Sequence, residues 1–369
     1  MEKSNEKHLS YFKAENFKNF NKIELEDISL FNVIVGDNNV GKTNLLEALS
    51  FENNDITKYL CDLGFFVSNR HRKIIHFEEK DSFNNNYIFN YFNNSSDDKT
   101  FSLSYKNFDS DNLNSIKIQL KNKSELNKEE VGSIQGLDFI DISKINNLLA
   151  FNSNDKKAIV LVDFSKHLSY PPSDNYMPII FSNQIHGTDL IEFYSDTVSK
   201  SKSQKLEVIE NLNLFFNNID NIEISQSFEN YELFIGFKNH DKLMPLSMFG
   251  DGAIKFFRIL MEVIMNKNGR LSIDEIDNGI HYKKLEGFLK KVVSTCVNND
   301  TQIFCTTHSL ECLKALKLIF ESSENKKLQN SFRCYSLNKT KEGSIKAYKY
   351  DFEQFASTLD SDADIRGGE

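Results

Sequence analysis

The sequence predicts an α/β fold, and three observations carry that prediction. First, the apolar, β-branched run Leu30-Phe31-Asn32-Val33-Ile34-Val35 leads into a glycine-bearing octapeptide, and then into the helix formers Asn44-Leu45-Leu46-Glu47-Ala48-Leu49. Second, the apolar runs Leu271–Glu275 and Gln302–Thr306 read as buried strands, each followed by a helical pattern, at Tyr282–Val297 and Leu310–Phe320. Third, residues 65–125 change texture. Alternating runs such as Phe101-Ser102-Leu103-Ser104-Tyr105 and Ile116-Lys117-Ile118-Gln119-Leu120 there read as antiparallel strands.

The elements follow in order. Residues 11–35 read as β structure with Phe12, Phe17 and Phe20 as core anchors, and residues 36–50 as loop and helix. A strand is expected at Asn86–Phe92, a turn in the Asn/Asp/Ser cluster 93–98, and further strands at 158–164 and 178–182. A helix over 203–218, a hairpin over 221–238 turning near Asn230, and a long helix over Asp251–Met265 come next. Two short strands and a helix near Phe352–Leu359 close the chain. No internal repeat and no long heptad run is visible.

Composition sets bounds. At 369 residues, with 40% hydrophobic and 12% aromatic content, the chain can bury a large core in more than one structural unit. A net charge of −9 argues against a generally basic, nucleic-acid-coating surface. The 5 cysteines are scattered without a C-x-x-C pair, so neither a zinc site nor a disulfide framework is suggested. The first residues are too charged for a signal peptide, and no apolar run approaches the ~20 residues of a spanning helix. A soluble, cytoplasmic protein with no membrane partner is expected.

The octapeptide Gly36-Asp37-Asn38-Asn39-Val40-Gly41-Lys42-Thr43 fits the phosphate-loop pattern G-x-x-x-x-G-K-[ST] at every fixed position, in a strand–loop–helix setting. Gly36 and Gly41 let the backbone bend so that amide N–H groups face phosphate oxygens, and the helix N-terminus adds its dipole. Lys42 supplies a charge to the β- and γ-phosphates of ATP, and the Thr43 hydroxyl ligates Mg²⁺. Further on, Leu271-Ser272-Ile273-Asp274-Glu275 reads as a strand ending in two acids. Asp274 would hold the Mg²⁺, and Glu275, on the other side of the strand, would orient and deprotonate the attacking water. The strand Ile303–Thr306 leads to His308, placed to contact the γ-phosphate. Ser247, Gly250 and Gly252, at a helix start, make a second anion site. Their natural use is to cap the nucleotide held by a second copy of the chain.

Phosphate loop, Ser-Gly signature, paired acids and histidine, in this order, resemble the ABC-type ATPase heads. The wording is narrower. Phe17-Lys18-Asn19-Phe20, the loop continued through Asn44-Leu45-Leu46-Glu47-Ala48, Asp274-Glu275-Ile276-Asp277-Asn278-Gly279-Ile280-His281 and Thr306-Thr307-His308-Ser309-Leu310-Glu311 resemble the OLD-related AAA-type ATPases. That group includes ATPase subunits of anti-phage systems such as PARIS and Septu, and is a cousin of the RecF and SMC proteins. The resemblance implies an ABC-type head of mixed core sheet plus antiparallel β region, carrying an inserted β and helical region. It also implies nucleotide contacts from residues 36–44, and a head-to-tail dimer in which Ser247, Gly250 and Gly252 complete the partner's site. His281 falls where such heads cross the dimer interface; transporters have an aspartate there and a Leu-Ser-Gly-Gly-Gln signature instead of Leu-Ser-Met-Phe-Gly-Asp-Gly.

The expected domains are an N-terminal head part over 1–60, an insert over 61–235, a C-terminal head part over 236–350, and a helix and tail over 351–369. Residues 51–245 lack the coiled coil of an SMC-type organiser. The stretch after His308 is too short for the head's last strands plus a Toprim nuclease. The resemblance then implies a defence ATPase, a sensor and scaffold controlling a separate nuclease or toxin chain. A RecF-like repair ATPase that binds DNA is the alternative. Arg70, Arg72 and Lys73, and Lys200, Lys202 and Lys205, read as solvated faces before they read as nucleic-acid contacts. Lys255 and Arg258 border either the dimer interface or a DNA groove, and the acids from Asp360 to Asp364 read as a solvated tail.

Overall fold

The computed structural model describes residues 8–50, 99–108, 110–126, 134–135, 147–153, 156–161, 179–180, 189–213, 216–227, 230–361 and 363–367. The expected strand at 86–92, the turn at 93–98, Arg70, Arg72, Lys73 and Cys61 lie outside the described residues. The fold is α/β, and the chain divides into two compact units, each assembled from three segments.

The first unit takes residues 1–28, 38–176 and 337–349. Its core is a seven-stranded sheet containing β1 (Leu9–Phe17), β2 (Phe20–Glu26), β4 (Thr100–Asn107), β5 (Asn114–Asn122), β6 (Ile134–Gln135), β7 (Asn147–Ser153) and β8 (Lys156–Leu161), in the order β2-β1-β4-β5-β7-β8-β6. Strand β1 buries Leu9, Phe12, Ala14 and Phe17 among partly exposed residues, with a register shift against β4 between Leu9 and Tyr11. Phe12, Phe17 and Phe20 are all fully buried, and Phe17 meets Phe101 edge-on at 5.2 Å between ring centres. The helix α1 (Lys42–Ser50) belongs to this unit, and its residues from Leu45 to Ser50 are buried.

The second unit takes residues 29–37, 177–336 and 350–369. Its sheet runs β15-β3-β14-β13-β9, from β15 (Phe332–Lys339), β3 (Phe31–Gly36), β14 (Gln302–Thr306), β13 (Arg270–Ile273) and β9 (Ile179–Ile180). Strands β3, β14, β13 and β9 pair in parallel, so their carboxyl ends share one edge. Every residue of β3, β13 and β14 is buried, the pattern of a sheet covered on both faces. Buried Asn32 is satisfied: its Nδ2 donates to the carbonyls of Ser29 and Ile303, at 2.7 and 3.0 Å, and its Oδ1 accepts from the Ser29 amide at 2.9 Å. At the amino end of β3, Phe31 joins an aromatic cluster with Phe320, Phe332, Phe352 and Phe355.

The helices of this unit are α2 (Asp189–Asp196), α3 (Lys202–Leu212), α4 (Asp251–Met265), α5 (Tyr282–Asn298), α6 (Leu310–Glu321) and α7 (Phe352–Asp360). A separate three-stranded sheet, β10 (Ile219–Ser227), β11 (Asn230–Phe237) and β12 (His240–Pro245), precedes α4. The expected helix over 203–218 is shorter because Asn213 caps it and then bonds Ile219 twice, through Nδ2 to the carbonyl and Oδ1 from the amide. Helix α2 has no counterpart among the predicted elements. The last strand, β16 (Ile345–Tyr350), lies beside β15.

Candidate functional site

The octapeptide Gly36–Thr43 is where the chain leaves the second unit, at Asp37, and enters the first, at Asn38. Gly36 (φ +149°), Asn39 (φ +69°) and Gly41 (φ +98°) all have positive φ, so the loop curls as a phosphate cradle must. Helix α1 begins directly afterwards, with the Leu45 amide bonded to the Gly41 carbonyl at 2.9 Å. The β1–β2 turn braces this part of the loop from below. Asn19 Nδ2 donates to the Val40 carbonyl at 3.2 Å, and Asn44 Nδ2 donates to Asn19 Oδ1 at 2.6 Å. A Cβ on Gly41 would come within 2.7 Å of Asn19 Nδ2 and 3.0 Å of Phe20 Cζ, so a larger residue would have to displace the Asn19 amide and hold a φ that side chains disfavour. Lys18 forms an ion pair with the fully buried Glu47 of α1, tying turn to helix a second time. These contacts give a physical content to Phe17-Lys18-Asn19-Phe20, which sequence reasoning had only as a motif. Lys42 and Thr43 are the first two residues of α1, in the first unit.

In the second unit the parallel sheet brings Gly36, the acids after β13 and the Thr306–His308 segment to one edge. The strand β13 ends at Ile273, two residues sooner than expected, because Glu275 turns to φ +48°, out of the strand conformation; the Asp274 amide still makes the last ladder bond, to the Ile180 carbonyl of β9 (2.8 Å). Glu275 is thus set apart from Asp274 by a left-handed backbone and not by the pleat of a strand. Asp274 is buried, and its Oδ1 accepts from Thr306 Oγ1 at 2.7 Å. The same hydroxyl oxygen accepts from the Glu275 amide at 2.8 Å. Thr306 therefore orders both acids, a role that no single-residue signal in the sequence revealed. Thr307 Oγ1 donates to Asp277 Oδ1 at 2.6 Å and accepts from the Ser309 amide, and Ser309 caps α6 through the Cys312 amide. His308 lies exposed between them.

The acidic tail is not loose. Ile365 is buried, and its carbonyl accepts from the buried Ser336 hydroxyl at 2.5 Å. Next to it, Arg366 pairs with Asp364 through Nε and Nη2, and its Nη1 donates to the His308 carbonyl at 3.0 Å. Asp364 chiefly raises the guanidinium's proton affinity, and Asp37 at the head of the phosphate loop contributes.

Ser247 sits in a short 3₁₀ turn, Leu246–Phe249, and Gly250 (φ +81°) is the N-cap of α4, with no side-chain cap bond. Ser247 and Gly250 are exposed, and Met248 between them is 71% exposed. A Cβ on Gly250 would meet nothing, whereas one on Gly252 would come within 3.1 Å of Ile280 Cδ1. His281 is exposed as the N-cap of α5, with Nδ1 accepting from the Lys283 amide at 3.3 Å and its ring stacked on Tyr282.

Lys255 faces neither a partner nor a groove, contrary to expectation. It is 1% exposed, and its Nζ donates to the carbonyls of Glu275 (2.5 Å) and Asn278 (3.1 Å). Burial lowers its pKa from 10.5 to about 8, against the pull of Asp277, Glu275 and Asp274. Arg258 is likewise engaged, pairing with Glu262 at 2.9 Å and lying over the Phe193 ring at 5.4 Å.

Comparison with known proteins follows the same lines. An ATP/GTP phosphatase from Helicobacter pylori is 25% identical over 337 residues, covering 85% of this chain and 88% of that protein. The DNA replication and repair protein RecF of Clostridium kluyveri is 30% identical over 113 residues, covering 30% of this chain and 28% of its own length. Among solved structures, an Smc head bound to the C-winged helix domain of ScpA superposes with a TM-score of 0.54 at 12% identity, covering 94% of this chain and 99% of that one. An Smc head with an extended coiled coil, bound to the C-terminal domain of ScpA and derived from Pyrococcus furiosus, gives 0.53 at 11% identity, with 96% and 99% covered. The fold is that of an ABC-type ATPase head. Residues 31–314 match the family described as "AAA domain, putative AbiEii toxin, Type IV TA system", and the chain belongs to that family of ATPase domains.

Proposed function

We propose that the chain hydrolyses ATP slowly, in a head-to-tail dimer or higher assembly, as the sensor and scaffold of an anti-phage defence system whose nuclease or toxin is a separate chain. The observation that carries this reading is the sheet edge at which Gly36, the ordered pair Asp274 and Glu275, and His308 converge, together with the outward-facing Ser247–Gly250 segment. The residues suit a magnesium–nucleotide pair. The curled loop crowds and strains any side chain at Gly41, and Asp274 is a buried carboxylate held in orientation by Thr306. Residues 36–44 would bind the phosphates, with Lys42 as the cation, and Thr43 and Asp274 would hold Mg²⁺. The metal ion, when bound, neutralises charge on the phosphate oxygens. Glu275 would orient the attacking water and take its proton, and His308 would contact the terminal phosphate. Ser247, Gly250 and Gly252 would complete the site of a second copy, with His281 at that interface.

The family description, with its toxin and toxin–antitoxin terms, supports the defence setting, as does the OLD-like wording of the motifs. The 113-residue match to RecF favours a second reading, a DNA-repair ATPase. Glu275→Gln should bind ATP, lose at least ~100-fold in turnover, and elute from a sizing column with Mg-ATP as a persistent dimer. Lys42→Ala should lose binding itself. Unchanged rate and elution for both would refute the assignment. Phage plating with the neighbouring effector gene present and absent separates defence from repair.

A further inference from the structure

Lysine is rarely fully buried, and Lys255 is buried without a carboxylate within ion-pair distance among its recorded contacts. What it holds instead is backbone. Its ammonium caps the carbonyl of Glu275, a residue in the left-handed region, and that of Asn278, three residues on in the same turn. That conformation is unfavourable for a non-glycine residue, so it persists only where its surroundings impose it. Three contacts do so here. The Glu275 amide is fixed by Thr306 Oγ1, and its carbonyl by the Asn278 amide (2.9 Å) and by Lys255. The Asn278 side chain then donates to Glu275 Oε2 at 3.3 Å, so the turn also steers the carboxylate.

The opposite end of this connection is α4. Lys255 lies one turn past the Gly250 cap, and Gly252 rests on the Ile280 side chain and the Gly279 carbonyl of the same turn. The first two turns of α4 thus grip the segment 275–280 at two points, and the 3₁₀ turn that leads into it carries the exposed Ser247 and Met248. We propose that Lys255 is a positioning residue that couples the Ser247–Gly252 segment to Glu275, so that a second copy docking on that segment sets the aim of the Glu275 carboxylate. The proposal rests on the ATPase reading above, and it adds how occupancy of the interface would reach the general base.

The test uses the full chain with Lys255→Met, which keeps the aliphatic stem and removes the donors, and Lys255→Arg, which keeps a cation. Lys255→Met should bind ATP within about threefold of the wild type, and lose at least ~10-fold in kcat. Lys255→Arg should regain part of that loss. The double variant Lys255→Met/Glu275→Gln should be no slower than Glu275→Gln alone, because a residue acting through another adds nothing once that other is gone. Hydrogen exchange supplies a readout independent of turnover: the amides of 276–280 should exchange at least ~10-fold faster in Lys255→Met, while those of β3 and β14 keep their protection. A wild type that releases no phosphate would defeat the ATPase reading, and exchange at 276–280 would still decide the contact. Wild-type exchange in that turn, or additive loss in the double variant, overturns the proposal. So does a Lys255→Met protein that unfolds globally while Lys255→Arg is indistinguishable from it.

Discussion

Two glycine-bearing loops of this chain are built in opposite ways. The phosphate loop, from Asn38 on, is braced within the first unit: Asn19 and Phe20 fill the space beside Gly41, Asn19 holds Val40 and Asn44, and Lys18 reaches Glu47. The Ser247–Gly252 loop is held where Gly252 meets Ile280 and where Phe249 packs on Phe216 and Phe237, while Ser247, Met248 and Gly250 face outward: a Cβ at Gly250 would meet nothing, and Met248 is exposed. A loop completed by its own neighbours is shaped for a small ligand. A loop left bare at a helix start, with a large apolar side chain beside it, is shaped for something that arrives from outside.

Three changes would break or sharpen that contrast. The largest effect is expected at Gly41→Ala, where a positive φ and the 2.7 Å approach of Asn19 coincide. It should cost roughly 1–3 kcal/mol in denaturant unfolding and abolish measurable ATP binding by calorimetry. If it binds normally, the loop is not braced as described. Next, Met248→Lys should leave stability within about 0.5 kcal/mol, because the side chain touches little, yet weaken ATP-dependent self-association several-fold on a sizing column. Unaltered association would move the interface elsewhere. The smallest effect concerns the core behind both loops. Burial raises the thiols of Cys296, Cys305, Cys312 and Cys334, that of Cys296 to about 12 from 9.0. Above pH ~9 the unfolded chain sheds these protons while the folded one keeps them, so stability should fall as pH rises past that point. Thiol reagents should modify these four positions only as fast as the protein opens.

The helix Asp251–Met265 and the strand Gln302–Thr306 were legible to the residue, because a glycine or polar turn marks each boundary and the interior is mostly apolar. The end of β13 was not. It is set by a left-handed Glu275, a conformation that no propensity favours and that Thr306 and Lys255, elsewhere in the chain, hold in place. The motif residues Gly36, Asp274, Glu275 and His308 could be read from spacing alone. The residues that hold them in place could not. Thr306 is one hydroxyl in a strand, Asn19 one amide in a turn, and a lysine on a helix reads as solvated until the packing shows Lys255 inside. The short helix Asp189–Asp196 escaped because one helical turn repeated twice is too brief a period to separate from loop.

Each compact unit draws on three separate stretches of the polypeptide, and the chain changes unit inside the phosphate loop itself. Neither half can be isolated by trimming the gene from one side, since any fragment that keeps all of one keeps most of the other. Anyone wishing to study one half in isolation would have to splice its pieces with new linkers, and a protease nick between residues 37 and 38 would sever the very strand-to-helix joint on which phosphate capture is proposed to depend.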